Sequence, residues 1–456
     1  IMSERKSPEE RRADGKARRK VVPRSSHGDW SPSADRPDPV DLITSQDANR
    51  LQPLVPIRHG RMAESPFAFY RGAAKIMASD LASTESTGFT AQLCGDAHLA
   101  NFGSYASPDR RQVFDVNDFD ETLPGPWEWD LKRLATSFVL AGRDNEFDDT
   151  TIRSVTTASV SAYREAMAKF GAGGVLDVWY SQASLDDIAA STPRKKDRKR
   201  IDKAARKARS KGSLKALGKL AETVDGRTRI KSDPPLLMPL EEVPGIDADQ
   251  LHDQVAASLA SYRKSLANDR RVLLDRFEPI DVALKVVGVG SVGTRCMIVL
   301  LEGRDGDDPL FLQIKEATAS VLEDHLPPSQ FTKAGQRVVE GQRLMQASSD
   351  IFLGWDSTRR KHQFYWRQFH DMKGSADVAA MNARRMARYA KICGATLAHA
   401  HARSADSSAI AGYLGSGDAF DRAITAFAFT YADVNDLDYD AFRDAIDSGR
   451  IEATEG

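Results

Sequence analysis

Cysteine is scarce in this chain: three in 456 residues, at 94, 296 and 393, with no CxxC pair. That scarcity argues against a disulfide framework and a cysteine zinc site, and for a reducing, cytoplasmic setting. No apolar run approaches the roughly 20 residues that span a bilayer, so no membrane partner is expected. The first residues are charged and carry no apolar signal-like stretch. Charge of either sign is also lacking in excess: the net formal charge is -1, which gives no global drive toward nucleic acid. What remains is ordinary globular composition, 41% hydrophobic and 28% charged. The length suits one large domain or two to three ordinary ones.

Against that background one stretch stands out, Cys94 to Ser137. A short polar loop, Gly95-Asp96-Ala97-His98-Leu99-Ala100-Asn101, is followed by the turn Ser107-Pro108-Asp109 and the strand-like Val113-Phe114. That strand opens into the acidic cluster Asp115, Asp118, Asp120 and Glu121. A carboxylate and a carboxamide on one loop, with carboxylates at a neighbouring strand end, are oxygen ligands suited to Mg²⁺. Such an ion shares its shell with substrate phosphates. Asp96 and Asn101 form D-x-x-x-x-N, the spacing of a kinase catalytic loop. A solvated acidic turn is the plain alternative for residues 115–121 taken alone.

A second stretch, Val282 to Gly303, reads as strand, glycine-rich turn, strand. Gly288, Gly290 and Gly293 make G-x-G-x-x-G, with Ser291 inside it. The dinucleotide-binding reading of that motif needs a helix next. Gly293 leads instead into the apolar run Cys296–Leu301 and the turn Arg304-Asp305-Gly306-Asp307, which suits a phosphate-covering hairpin. The next strand, Leu310–Ile314, ends in Lys315, where a kinase holds the α/β-phosphates. A helix starting at Ser329 after Pro327-Pro328 carries Glu340 as the expected ion-pair partner of Lys315, with Glu316 and Glu323 as competitors. Strands are expected at Ile351–Trp355 and Gln363–Phe369 with a turn at 357–361, then a hinge at Asp371-Met372-Lys373-Gly374. A helix is expected over Ala379–Arg403 from its apolar spacing.

Other segments are less specific. Residues 1–40 read as a flexible or loosely docked arm. Arg58, Arg61 and Arg71 cluster in sequence and could clamp a phosphate or pair at the surface. Residues 194–219 hold 13 Lys or Arg and two Asp. They lack stacking aromatics, so a solvated helical face or insert is favoured and nucleic acid is unlikely. His399 and His401 are two apart and do not face one way on a helix, which disfavours a metal role.

The Gly95–Asn101 loop resembles the HGDLHxxN loop of aminoglycoside-phosphotransferase-like kinases. Asp115 resembles their metal-binding Asp, and Asp130-Leu131 their later helix start. Cys94 departs from the pattern, standing where those enzymes have His. The whole chain, on the Cys94–Ser137 stretch together with SPFAFYRG (Ser65–Gly72) and DMKGS (Asp371–Ser375), resembles a bacterial family known as domain of unknown function 2252, which implies no substrate.

The motif order is rotated. Kinases run glycine loop, lysine, helix, hinge, long helix, catalytic loop, metal Asp. Here the catalytic loop comes first, so the expected fold is α+β, protein-kinase-like and bilobal, but circularly permuted. A mainly helical lobe (41–275, basic insert 194–219, completed by 376–456) would face a small antiparallel-sheet lobe (276–375). The expected activity is ATP- and Mg²⁺-dependent phosphoryl transfer to a hydroxyl acceptor. AMP transfer and a silent nucleotide-binding regulator are the alternatives. Asp96 and His98 are the candidate catalytic residues, Asn101, Asp115 and Asp118 the metal ligands. Gly288, Gly290, Ser291, Gly293, Lys315 and Glu340 would hold the nucleotide.

Overall fold

The computed structural model describes residues 6–210, 212–243, 248–286, 288–356, 362–369 and 372–454. The turn expected at 357–361 and Asp371 of the expected hinge lie outside these residues. The architecture is mixed α+β with antiparallel sheets.

Short apolar runs, buried on both faces, build the centre of the main sheet. Its six strands lie in the order Gly354–Trp355, Gln363–Gln368, Pro309–Ala317, Cys296–Glu302, Glu278–Lys285, Leu237–Pro239. Successive side chains leave opposite faces of a strand. Val299, Leu301, Leu312 and Ile314 therefore enter one core, where Trp366 stacks on Tyr262 at 4.8 Å between ring centroids. Ile298, Leu300 and Phe311 enter a second core on the other face, against Leu220 and Ile230. Lys315 shares the Phe311 face by the same parity. The boundary expected at 275/276 does not hold, since Leu237–Pro239 pairs with Glu278–Lys285 and Tyr262 belongs to the sheet's core. The expected helix at Ser329 begins instead at Ala334 and runs to Met345.

The largest core is mainly helical. Trp127–Asp144, Asp149–Ala172, Ala383–Ala402 and Ala419–Asp447 bury Leu134, Phe138, Val155, Tyr163, Leu397 and Phe427 together. Every residue of the first helix up to Gly142 is buried, including Lys132 and Arg133. The second sheet flanks this core, with Phe102–Ala106 paired to Gln112–Val116. Gly374–Ser375, from the expected hinge, pairs with Gly103–Ser104 and so is tied to the strand that follows the polar loop.

Residues 6–40 are not a loose arm. Ser7 caps the Pro8–Arg18 helix with a complete capping box. Gly15 lies so close to the helix at Ser407–Leu414 that a Cβ would sit 1.9 Å from the Ala409 carbonyl oxygen. Arg36 then donates to Asp80 at 2.7 Å and to Asp438 at 2.6 Å, joining two carboxylates that are themselves nearly inaccessible. Little apolar periodicity does not prevent docking, because small residues and buried ion pairs supply the contact. Replacing Arg36 by Leu leaves two buried aspartates without their common partner. The expected loss is about 3 kcal/mol of unfolding free energy, read by urea denaturation; a loss below about 1 kcal/mol would show that this segment adds little.

Candidate functional site

The site is assembled around a glycine and a helix start. Gly95 sits at φ +81°, and a Cβ there would meet the Glu121 carbonyl oxygen at 2.4 Å. Only glycine lets the polar loop press onto the acidic loop this closely. The Asp130 carboxylate receives the Cys94 N–H at 2.8 Å and the Gly95 N–H at 3.0 Å. His401 lies 3.2 Å from the same carboxylate, and its other ring nitrogen is 2.9 Å from the Tyr163 hydroxyl. The loop is thus held by a histidine from the Ala383–Ala402 helix rather than by the side chain at 94. Tyr389 of that helix donates to the carbonyls of Leu99 at 2.7 Å and Phe102 at 3.1 Å.

Asp96 projects from this loop. One of its oxygens accepts from Arg133 at 2.5 Å, and Arg133 also covers the Tyr70 ring. Burial pushes the Asp96 carboxyl above its ordinary range in spite of Arg133 and Arg71. His98 is buried, with Nε2 3.7 Å from Asp96 and Nδ1 without a partner among the described residues. Burial and the neighbouring Arg71 and Arg133 hold that imidazole well below its usual pKa, so it is neutral.

Above the loop, the glycine turn and the acidic residues face one cleft of about 330 Å³. Gly290 and Ser291 line one side, and Asp96, Asp118, Asp120 and Glu121 the other. Arg50, Arg71 and Lys75 line it as well. SPFAFYRG explains how Arg71 arrives there. Ser65 caps the Pro66–Gly72 helix, Phe69 and Tyr70 are buried, and Arg71 falls at the last turn. Among the described residues, the Nε atoms of Arg50 and Arg71 are buried without a hydrogen-bond partner. Gly288 accepts from Arg61 at 2.7 Å, and Gly293 accepts from the Leu51 N–H at 2.7 Å, which anchors the turn to the 50–72 segment. After Gly293 comes a turn and then the Cys296 strand, with no helix. The dinucleotide-binding reading of the motif therefore fails.

Lys315 stands behind the acidic loop. Its ammonium is 2.5 Å from Asp120 and 3.9 Å from Asp118. Burial works against its charge, but the two carboxylates raise its pKa well above the ordinary value. Tyr365 also donates to Asp120 at 2.7 Å. Burial opposes ionisation of Asp120, yet Lys315 and Tyr365 hold its carboxyl below the usual range. Burial and the neighbouring Asp120 push the Asp118 carboxyl above its ordinary range.

Several expected site residues lie elsewhere. Glu340 is not the partner of Lys315; it pairs with Arg343 at 3.3 Å on the partly exposed side of its helix. The same helix points Arg337 inward, to the carbonyls of Asp120 at 2.7 Å and Thr122 at 2.6 Å. Glu316 meets Arg295 and His362, and Glu323 caps a short turn. Asp115 does not line the cleft. Its oxygens accept from the N–H groups of Ala347 at 3.1 Å and Val116 at 2.9 Å. Asn101 is outside the lining too, and its amide donates to the Asp96 carbonyl at 2.8 Å. Arg58 is wholly buried against Asp47 at 2.9 Å, which answers its role as structural. Asp120, Arg133, Arg337 and Tyr365 are not among the expected site residues. A cation within an apolar-rich helical run, as at Arg133, is the readable signal.

Among the described residues, no three His, Cys, Asp or Glu side chains form a ready-made metal cage. A Mg²⁺ that draws most of its ligands from phosphates and water needs only one or two carboxylates. Asp118 and Asp120 at the cleft wall fit that lesser demand.

Burial raises the Asp115 carboxyl to about 7, against the two N–H groups it accepts from. Its folded pKa lies above its unfolded one, so its favourable share of stability is full below about pH 4 and lost as pH rises through about 7. The stability difference between the protein and an Asp115→Asn variant should shift by about 2 kcal/mol toward the variant from pH 5 to pH 8. Urea denaturation at both pH values measures it, and a difference independent of pH would place the carboxylate in water.

No curated protein and no solved structure matches the chain. A family model described as "Uncharacterized protein conserved in bacteria (DUF2252)" matches residues 50–445, which include the polar loop, the acidic cluster, the glycine turn and Lys315. The chain therefore belongs to the DUF2252 family.

Proposed function

We propose that this protein is an ATP- and Mg²⁺-dependent phosphotransferase, kinase-like and circularly permuted, acting on a hydroxyl acceptor. The observation that carries the reading is the ion pair between Lys315 and Asp120, 195 residues apart, beneath a cleft whose other wall is the glycine turn. A polyphosphate needs cations and metal-holding carboxylates at one point, and this is where the chain brings both.

Further features support it. The glycine turn joins two antiparallel strands, Lys315 is on the third, and a helix and two more strands follow. The Ala383–Ala402 helix lies under the loop that bears Asp96. The Thr454 N–H donates to the Pro56 carbonyl at 3.0 Å, so the chain's described end meets the segment that leads into that loop. Joining the two would restore the usual motif order, as permutation requires.

In this reading Asp96 orients the acceptor hydroxyl and takes its proton, while Arg133 fixes the carboxylate. The Arg50 and Arg71 guanidiniums, which line the cleft, hold phosphate oxygens, and Lys315, buried behind that lining, holds Asp118 and Asp120 in place. Asp118 and Asp120 are the residues that would hold Mg²⁺. The ion, when bound, supplies neutralisation of phosphate charge. Asp115 has no part in that set, and His98 supports the loop as a neutral ring.

Calorimetry should show ATP binding at least ten times tighter with Mg²⁺ than in EDTA, and Asp118→Asn should remove most of the difference. Equal affinity in both buffers would refute the metal assignment. Asp96→Asn should lower turnover by about 10²–10⁴ while leaving ATP affinity near that of the parent. ADP as the product supports phosphoryl transfer, and an AMP-modified acceptor would replace it with nucleotidyl transfer.

A further inference from the structure

A second cavity shares no lining residue with the cleft. It has a volume of about 340 Å³, within the range of small-molecule sites. The basic segment forms one of its walls. That segment is a helix, Lys195–Arg209, and its charges are not arranged evenly. Asp197, Ile201, Ala204 and Ala208 recur at helical spacing and turn one side to the cavity. Lys196, Lys199, Lys203 and Arg206 stay exposed. The opposite wall is the Ala383–Ala402 helix, through Tyr389 and Ile392, and the floor includes Phe114. Leu185 and Ile188 close one end.

The rim is strongly cationic. Arg200, Lys207, Arg385 and Arg388 line the cavity, against the single carboxylate of Asp197, which Arg388 engages at 3.2 Å. Among the described residues Arg200 and Lys207 have no carboxylate within ion-pair distance and are exposed. An apolar interior does not call for four cations at its mouth. A ligand that places hydrocarbon inside and negative charge at the rim satisfies both parts. A nucleic acid would leave the apolar floor unused, and it finds no aromatic platform on the basic helix. A neutral hydrocarbon would leave the rim unused.

We infer that this cavity is a binding site for a small amphiphilic anion, an apolar chain or ring bearing a carboxylate, sulfate or phosphate head. The chain packs against Phe114, Ile188, Ile201 and Ile392, and the head lies between Arg200, Lys207 and Arg385. A bounded volume of about 340 Å³ between the two helices and Phe114 favours a single ligand molecule over a lipid surface.

The test uses the full chain and a fluorescent medium-chain fatty acid, with its methyl ester as the uncharged counterpart. The acid is expected to bind one to one and at least ten times more tightly than the ester. Ala204→Trp, an exposed position that lines the cavity, should weaken the acid at least tenfold by filling the space. Arg200→Glu with Lys207→Glu should weaken the acid to the level of the ester. Circular dichroism and the urea midpoint should match the parent in both variants, which shows that they remain folded, and Mg²⁺-ATP affinity should stay within about threefold, which shows that the cavity is separate from the cleft. Equal binding of acid and ester would overturn the role of the rim. Unchanged binding in Ala204→Trp would overturn the site, and so would binding seen only with anionic vesicles and never with the monomeric acid.

Discussion

The Lys315–Asp120 ion pair is the constraint on which the rest of the arrangement depends. An ammonium that is 2% exposed cannot stay charged without carboxylates beside it. Asp120 and Asp118 satisfy it, and they belong to a loop between the sheet's core and the helical core. The ion pair therefore sets the distance between those cores. Arg337 reinforces the seam by donating to the Asp120 and Thr122 carbonyls and to that of Thr318. Breaking either partner would strand a buried charge, whereas the surface pairs elsewhere, such as Arg422 with Asp418, are solvated and weak.

The polar loop is stabilised by a different device. Asp130 accepts two loop N–H groups at the positive end of its own helix and is joined to His401 and Tyr163. Every member is buried and bonded, which is what makes such a network rigid instead of costly. Asp96 inherits that rigidity. One of its oxygens is fixed by Arg133, and the loop backbone is fixed by Tyr389 and Asp130. The carboxylate is presented to the cleft in a set direction, which is what the proposed meeting with an acceptor hydroxyl requires.

Much of this is legible in the residues. The strands at 278–285, 296–302 and 309–317 follow from short apolar runs set off by the glycine turn and by Arg304-Asp305-Gly306-Asp307, and the 383–402 helix from its apolar spacing. Asp96, Lys315 and the glycine turn are legible because motif spacing constrains chemistry even when the fold is unknown. Pairings are not. Sequence spacing names Glu340 as the partner of Lys315, with Glu316 and Glu323 as competitors, whereas the partner is Asp120, because Glu340 sits on the side of its helix turned away from Lys315. Asp115 and Asp118 differ by the end of a strand. At 115 the strand is still paired to Gly103, so the side chain is committed to the interior, and by 118 it has left the sheet and can reach the cleft. The N-terminal residues defeat a pattern reading for a related reason: Gly15 carries no pattern, yet its missing Cβ is what lets two helices touch.

Tyr389 connects the two cavities in a way that bounds how they can influence each other. Its ring lines the apolar cavity, and its hydroxyl holds the carbonyls of Leu99 and Phe102 in the loop that bears Asp96. Ser104 and Phe114, paired across the hairpin, line the same cavity from the strand that follows the loop. A ligand there can move the loop only to the extent that it binds one Tyr389 position better than another. Tyr389 is packed among Phe114 and Phe138, and its hydroxyl has two backbone acceptors. Shifting it would forfeit both hydrogen bonds in a buried setting, at a cost of about 1–3 kcal/mol for each group left unpaired. A modest ligand therefore stiffens the loop in its present place. Only one that offered its own donors to Leu99 and Phe102 could draw Tyr389 away and release Asp96 from its support.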